Sequence, residues 1–246
     1  MRITLFTSNN SRHNYLINLL SKFAKKLFVV QESKTIFQGI TPGNYPVSKI
    51  SRKYFKNVNL AQRKIFGDTF IDNSKKNISI LPLVFGDLNK CNLKLLSKFL
   101  KSDLYIVFGS SYIKGDLVNF LVKKKTINIH MGVSPYYRGT DCNFWALYDD
   151  NPHLAGSTIH LLSKGLDSGP ILFHALSKID KKNPYEYTMS TVKSAFIAIT
   201  KRIKDKSILK IKPIKQDKRK EVRYSKKKDF NDKILKKYFS KKIKVN

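Results

Sequence analysis

Two short, largely apolar runs joined by an amphipathic segment constrain this chain more than any other feature. Arg2-Ile3-Thr4-Leu5-Phe6-Thr7-Ser8 reads as a buried first strand, and Leu27-Phe28-Val29-Val30 reads as a second. Between them comes a polar turn, Ser8-Asn9-Asn10-Ser11, and then Leu16, Ile17, Leu19, Leu20 and Phe23 on one helical stripe. A strand without a polar face must be covered on both sides, which is the condition of a parallel sheet flanked by helices. The order strand–helix–strand with short connections therefore predicts an α/β architecture with a mostly parallel sheet.

The rest of the chain extends this pattern. Ile78-Ser79-Ile80-Leu81-Pro82-Leu83 reads as an edge strand, because Pro82 has no N–H to donate to a ladder. Leu104-Tyr105-Ile106-Val107-Phe108, ending at Gly109, is a strong buried strand, and Thr126-Ile127-Asn128-Ile129-His130 is the next. Ser157–Leu162 and Ile171–Ala175 complete the strands. Helices are expected over 47–66, Leu93–Leu100, Tyr112–Leu121, Phe144–Tyr148 and Tyr185–Ile203. Gly39, Pro42, Gly43 and Pro46 punctuate the less regular stretch before the second helix. A break near residue 203 divides a main domain, 1–203, from a basic extension, 204–246, in which a charge run follows Pro213.

Composition bounds the function classes. With 246 residues, 41% of them apolar, the chain can bury a core and is not wholly disordered. No apolar run reaches the roughly 18 residues of a membrane-crossing helix. The N-terminus lacks the apolar stretch and cleavage site of a signal peptide, so a cytoplasmic protein is expected. Cys91 and Cys142 are far apart, which excludes a disulfide scaffold and a cysteine-rich zinc site. The 48 Lys+Arg against 17 Asp+Glu give a net charge of +31, and residues 201–246 alone carry +15. Only 8 of the basic residues are Arg, the side chain suited to bidentate phosphate contacts. Coding bias and attraction to a polyanion both remain open as the source of the charge.

The chemistry concentrates in residues 126–170, the least lysine-rich part of the chain. Asn128 and His130 are two apart at the end of a strand, so their side chains share a face and can converge on one atom. Asp167 sits in Lys164-Gly165-Leu166-Asp167-Ser168-Gly169-Pro170, a turn whose glycines permit close backbone approach. A carboxylate beside an imidazole orients it, sustains its charge or relays its proton. Polar groups just past the carboxyl ends of apolar strands are where α/β sheets bind ligands.

Four stretches in this order resemble the folate-dependent formyltransferases, a family that includes the methionyl-tRNA, glycinamide ribonucleotide and amino-sugar formyltransferases. They are Asn128-Ile129-His130, Pro135-Tyr136-Tyr137-Arg138-Gly139, Gly156-Ser157-Thr158-Ile159-His160 and Gly165-Leu166-Asp167-Ser168-Gly169-Pro170-Ile171-Leu172. The likeness is strongest over about residues 100–180. It implies a Rossmann-like catalytic domain, a 10-formyltetrahydrofolate co-substrate, no metal and a primary amine acceptor. It places the catalytic roles on Asn128, His130 and Asp167, with Asn128 and a protonated His130 donating to the developing oxyanion. Donor contacts fall on Gly109, Ser110, Ser111, Tyr112 and Ile113, on Gly132 and Ser134, and on Leu162, Gly165 and Leu166.

The acceptor is less constrained. Arg12, Arg138, Asp141 and His160 are candidates to border its pocket, each with a structural alternative. His160 is equally a packed strand histidine, Arg138 equally a loop brace and Arg12 equally a solvated surface residue. Asn143 and Trp145 either shape the acceptor site or belong to the core. The loop Met131-Gly132-Val133-Ser134-Pro135 keeps the family's length but departs from its usual Pro-Ser-Leu-Leu-Pro. The first turn lacks the Gly-Ser-Asn loop that holds the phosphate of glycinamide ribonucleotide. Gln216 through Asp232 resembles the segment that leaves the catalytic domain in the tRNA and sugar enzymes, with little sequence after it. An amino sugar, nucleotide-linked, is therefore the expected acceptor. Methionyl-tRNA, gripped through the basic tail, is the alternative, and glycinamide ribonucleotide comes third. A different class, an inactive relative that binds RNA or another polyanion, is opposed by the intact Asn128, His130 and Asp167. A nicotinamide-dependent dehydrogenase is disfavoured because no GxGxxG follows the first strand.

Overall fold

A computed structural model describes residues 1–33, 48–178, 183–241, 243 and 245. Along the chain run β1 (Arg2–Ser8), α1 (Ser11–Ser21), β2 (Lys26–Ser33), α2 (Lys49–Phe66), β3 (Ile78–Val84), β4 (Leu104–Phe108), α3 (Gly115–Lys123) and β5 (Ile127–His130). There follow β6 (Tyr137–Gly139), α4 (Cys142–Tyr148), β7 (Ser157–Leu161), β8 (Ile171–Ala175), α5 (Pro184–Lys204), β9 (Arg223–Ser225) and α6 (Asp232–Ser240).

The main sheet has seven strands in the order β3-β2-β1-β4-β5-β7-β8. The first five are parallel, and β7 and β8 are antiparallel additions. The order reverses between β1 and β4, which opens a crevice past their carboxyl ends. All five residues of β4 are buried, as a strand covered on both faces requires. Along β1, Ile3 and Leu5 join one core cluster and Phe6 the other, so the pleat divides the apolar side chains between two helical layers. β3 lies at the sheet edge, where Pro82 is tolerated.

Two expectations are corrected. Leu93–Leu100 is a run of turns rather than a helix. Its N–H groups are split between three- and four-residue closures; that of Leu100 reaches both Leu96 and Ser97. The helical spacing nonetheless buries Leu96 and Phe99, so apolar periodicity is met without a continuous helix. The third helix begins at Gly115, because Asn89 holds Tyr112 and Lys114 in an extended path. The second helix starts at Lys49; residue 47, Gly39, Pro42, Gly43 and Pro46 lie outside the described residues.

The described residues after 203 fold onto the same body. β9 pairs in parallel with β6, and Phe230, Leu235 and Tyr238 enter the larger core cluster. The Tyr238 ring stacks 4.8 Å from Phe144 and lies 6.1 Å from Tyr185. The apolar side of α6 is thereby covered, and its lysines face outward.

Candidate active site

The sheet register builds the site. β7 runs antiparallel to β5, with His160 opposite Asn128 and Thr158 opposite His130. Side chains of directly opposed residues share a face, so Asn128, His130 and His160 converge at the carboxyl end of β5. The turn after β7 then delivers Asp167, whose φ is +47°, an uncommon left-handed setting for a residue with a Cβ.

The Asp167 carboxylate is the centre of the cluster. Its Oδ1 lies 3.3 Å from His130 Nδ1, 3.4 Å from Asn128 Nδ2 and 3.8 Å from His160 Nε2. His130 and Asp167 are both buried, at 7% and 9% exposure. His160 Nδ1 donates to the Leu161 carbonyl at 2.8 Å, which leaves Nε2 to accept from Asn128 at 3.0 Å. This network assigns the His160 tautomer and the Asn128 amide orientation. The Asn128 N–H facing Asp167 is held by a long contact and is the freer of the two.

His130 is balanced between opposing effects. Burial pulls its pKa below the usual histidine value, and the Asp167 carboxylate pulls it back up. Both of its ring nitrogens face acceptors, Asp167 on one side and the Tyr137 carbonyl at 3.3 Å on the other. The surroundings are thus shaped for a doubly protonated ring, while desolvation keeps the resting ring neutral. A protonated His130, as the resemblance implies, would carry its charge between these two acceptors and against the cost of burial. For Asp167, burial pushes the pKa up, but His130, His160 and the Gly139 N–H together outweigh it and hold the carboxyl below its ordinary value.

Gly132 marks how tightly the following loop is packed. An added Cβ there would lie 2.6 Å from His130 Nε2 and 2.5 Å from Cys142 Cβ. Thr158 fixes the loop by donating to the Gly132 carbonyl at 2.6 Å and accepting from the Ser134 N–H at 2.8 Å. Cys142, against the same loop, is an inert thiol: burial first, then Asp167 and Asp141, push its pKa well up.

The two loops expected to flank a folate face each other. Tyr112 Oη donates to the Lys164 carbonyl at 2.7 Å, bridging Gly109–Ile113 to the segment from Leu162 to Leu166. Ile113 is buried, and Leu162 packs against the same apolar cluster. Ser110 bonds within its own loop, Gly109 turns with φ +66°, and Gly165 accepts from Ser163. An apolar wall beside backbone polar groups suits a flat heteroaromatic ring with donors and acceptors on its rim.

Sequence reasoning missed the residue that anchors this loop. Glu32, fully buried at the end of β2, accepts from Ser111 N at 2.6 Å, Ser111 Oγ at 2.8 Å and Gly86 N at 2.8 Å. A carboxylate closing an apolar strand is the signal that would have found it.

The acceptor candidates divide. His160 is packed, at 1% exposure, and belongs to the Asp167 cluster. Arg138 donates to the Leu166 carbonyl at 2.9 Å and pairs with Glu221 at 2.8 Å, the behaviour of a loop brace. Arg12 donates to Gln62 of α2. Asp141 sits at the head of α4 with φ +57°. Asn143 and Trp145 are buried, and Trp145 lies under the Arg223 guanidinium at 4.4 Å. Among the described residues, no helix is long and apolar enough to cross a membrane, and no group of three His, Cys, Asp or Glu side chains is arranged to hold a metal ion.

Residues 90–200 match the family model described as formyl transferase. The chain is 27% identical over 123 residues to a methionyl-tRNA formyltransferase from Trichormus variabilis, a match covering 48% of this chain and 36% of that protein. It thus spans about a third of that curated relative's length. A 4-N formyltransferase from Francisella tularensis superposes with a TM-score of 0.56 at 20% identity, over 92% of this chain and 76% of that one. The formyltransferase PseJ from Anoxybacillus kamchatkensis, solved with UDP-4,6-dideoxy-4-formamido-L-AltNAc and tetrahydrofolate, gives a TM-score of 0.51 at 20% identity, over 100% of this chain and 96% of that one.

Proposed function

We propose that this chain, whose residues 90–200 match the formyl transferase family model, moves a formyl group from 10-formyltetrahydrofolate to a primary amine, with a nucleotide-linked amino sugar as the acceptor. The observation that carries this reading is the convergence of Asn128, His130 and Asp167 on one point at the end of β5. The donor supplies an activated formyl carbon.

Each residue has a role that its surroundings permit. Asn128 turns its freer N–H from Asp167 to the formyl oxygen as negative charge develops there. His130 is neutral at rest, so it can take the proton released as the amine bonds to the formyl carbon. Asp167 stabilises the imidazolium that forms, since its carboxylate is held ionised at 3.3 Å. His130 then returns the proton to the donor nitrogen as the old carbon–nitrogen bond breaks. His160 keeps the Asn128 amide oriented through its Nε2. The loops 109–113 and 162–166 hold the donor, with Glu32 fixing the first. The reaction is proposed for the cytoplasm.

Support for a sugar acceptor comes from the solved relative that aligns with the whole chain and holds a sugar nucleotide. Phe144 and Trp145 are core residues and contribute nothing to the choice of acceptor. Fold alone does not fix the acceptor. The test is a panel of amino-sugar nucleotides, charged initiator tRNA and glycinamide ribonucleotide, each incubated with enzyme and donor and examined by mass spectrometry for the formylated amine. Formylation of the sugar nucleotides supports the reading. Formylation of tRNA or of the ribonucleotide in their place reassigns the acceptor.

A further inference from the structure

Gln216 lies in the segment after α5, and its carboxamide spans the turn that carries Asp167. Nε2 donates to the Asp167 carbonyl at 2.9 Å and to the Gly169 carbonyl at 2.7 Å. Just upstream, Ile214 exchanges two backbone bonds with Ile171, the first residue of β8, at 2.7 and 2.8 Å. On the other side of the turn, Arg138 holds Leu166 and pairs with Glu221 of the same segment. Residues 214–221 therefore tie down the turn from both ends.

We infer that Gln216 is a positioning residue that sets the Asp167 carboxylate against His130. This inference rests on the assignment of Asp167 given above. Neither bond touches the carboxylate; both fix peptide carbonyls around a left-handed residue, a conformation kept only where its surroundings enforce it. Rotation of that backbone would swing Oδ1 out of the gap between His130, Asn128 and His160, where it stands 3.3 to 3.8 Å from each. Simple packing does not explain the side chain. Its Oε1 is buried with no hydrogen-bond partner among the described residues, a cost that an apolar side chain of similar size would avoid.

The test compares wild-type protein with Gln216→Leu, which removes both donors at similar volume. Gln216→Ala stands in if the leucine variant does not fold. Turnover and donor KM are measured together with the His130 ring titration, followed by nitrogen NMR on histidine-labelled protein. The expected result is kcat lower by about 10- to 100-fold, as for a small displacement of a reacting group, with little change in donor KM. The His130 titration midpoint moves down, because a retreating carboxylate no longer opposes burial. In an Asp167→Asn background the same substitution leaves the midpoint where it is. A folded Gln216 variant with an unmoved His130 midpoint overturns the inference. The titration needs no acceptor, so it decides the role of Gln216 even if the wild-type protein formylates nothing offered to it.

Discussion

The Asp167 carboxylate meets the His130 imidazole at 3.3 Å, oxygen to ring nitrogen, although one residue sits in a turn and the other ends a central strand. The contact exists because β7 returns antiparallel beside β5 to end opposite Ile127, and the turn that follows bends back to bring Asp167 against His130. It makes a buried histidine chargeable on demand, which is what proton transfer in a dry pocket requires. The surrounding braces can be tested separately from the pair itself.

Gly132→Ala should impair folding and activity together. The new methyl group would collide with the His130 ring and with Cys142, both of them buried. A loss of about 1–3 kcal/mol in unfolding free energy is expected, the usual scale of overpacking. Chemical denaturation and turnover of the same preparation check it; wild-type values in both would show that the loop relaxes freely.

Glu32→Gln should weaken donor binding. The substitution exchanges one accepting oxygen for an N–H₂ that must face Ser111 or Gly86 donors. About 1–3 kcal/mol of stability should go with the unsatisfied groups. Titration with a folate, followed by intrinsic fluorescence, should show a raised dissociation constant. Unaltered folate affinity would detach Glu32 from the donor site.

Stability should fall as the solution is acidified from neutrality. His13 is buried against Phe108, and burial, followed by the nearby Arg12 charge, holds its pKa well below the usual value. Below about pH 6.5 the unfolded chain binds protons that the folded chain refuses, so the unfolded state gains. Burial of His130 acts with the same sign. The loss begins near the unfolded histidine value and continues down to the folded one. Urea midpoints measured across that range should decline for wild-type protein and decline less for His13→Leu. Equal slopes would assign the acid sensitivity to other groups.

Tyr238→Ala should destabilise the whole body rather than loosen a tail. Its ring packs among Phe144, Tyr54 and Tyr185, and truncating an aromatic of this size in a core costs about 3 kcal/mol or more. A single cooperative unfolding transition, shifted down in temperature, is the expected trace. A separate early transition would mean that α6 unfolds by itself.

The sheet was largely legible in the sequence, for a physical reason. β1, β2 and β4 are buried on both faces and so appear as short, mostly apolar runs. Asn128 and His130 were legible as a pair because strand periodicity puts alternate residues on one face. Asp167 stood out through the glycines around it. The missing parts depend on contacts between distant segments. Three-residue strands such as β6 and β9 carry too little pattern to announce a pairing. Glu32 and Gln216 are isolated polar residues whose partners lie on other elements. Tyr238 and Leu235 sit within lysine runs, which hid the apolar stripe of α6.

The most direct measurement is tetrahydrofolate release from 10-formyltetrahydrofolate, followed by absorbance, with wild-type protein and Asp167→Asn side by side. The acceptor is whichever amine of the panel is formylated. Acceptor-dependent release by the wild-type protein is expected, with a loss of about 10²- to 10⁴-fold in the variant, the scale of an acid–base step deprived of the charge that supports it. A folded Asp167→Asn protein that turns over near the wild-type rate would contradict the role of Asp167.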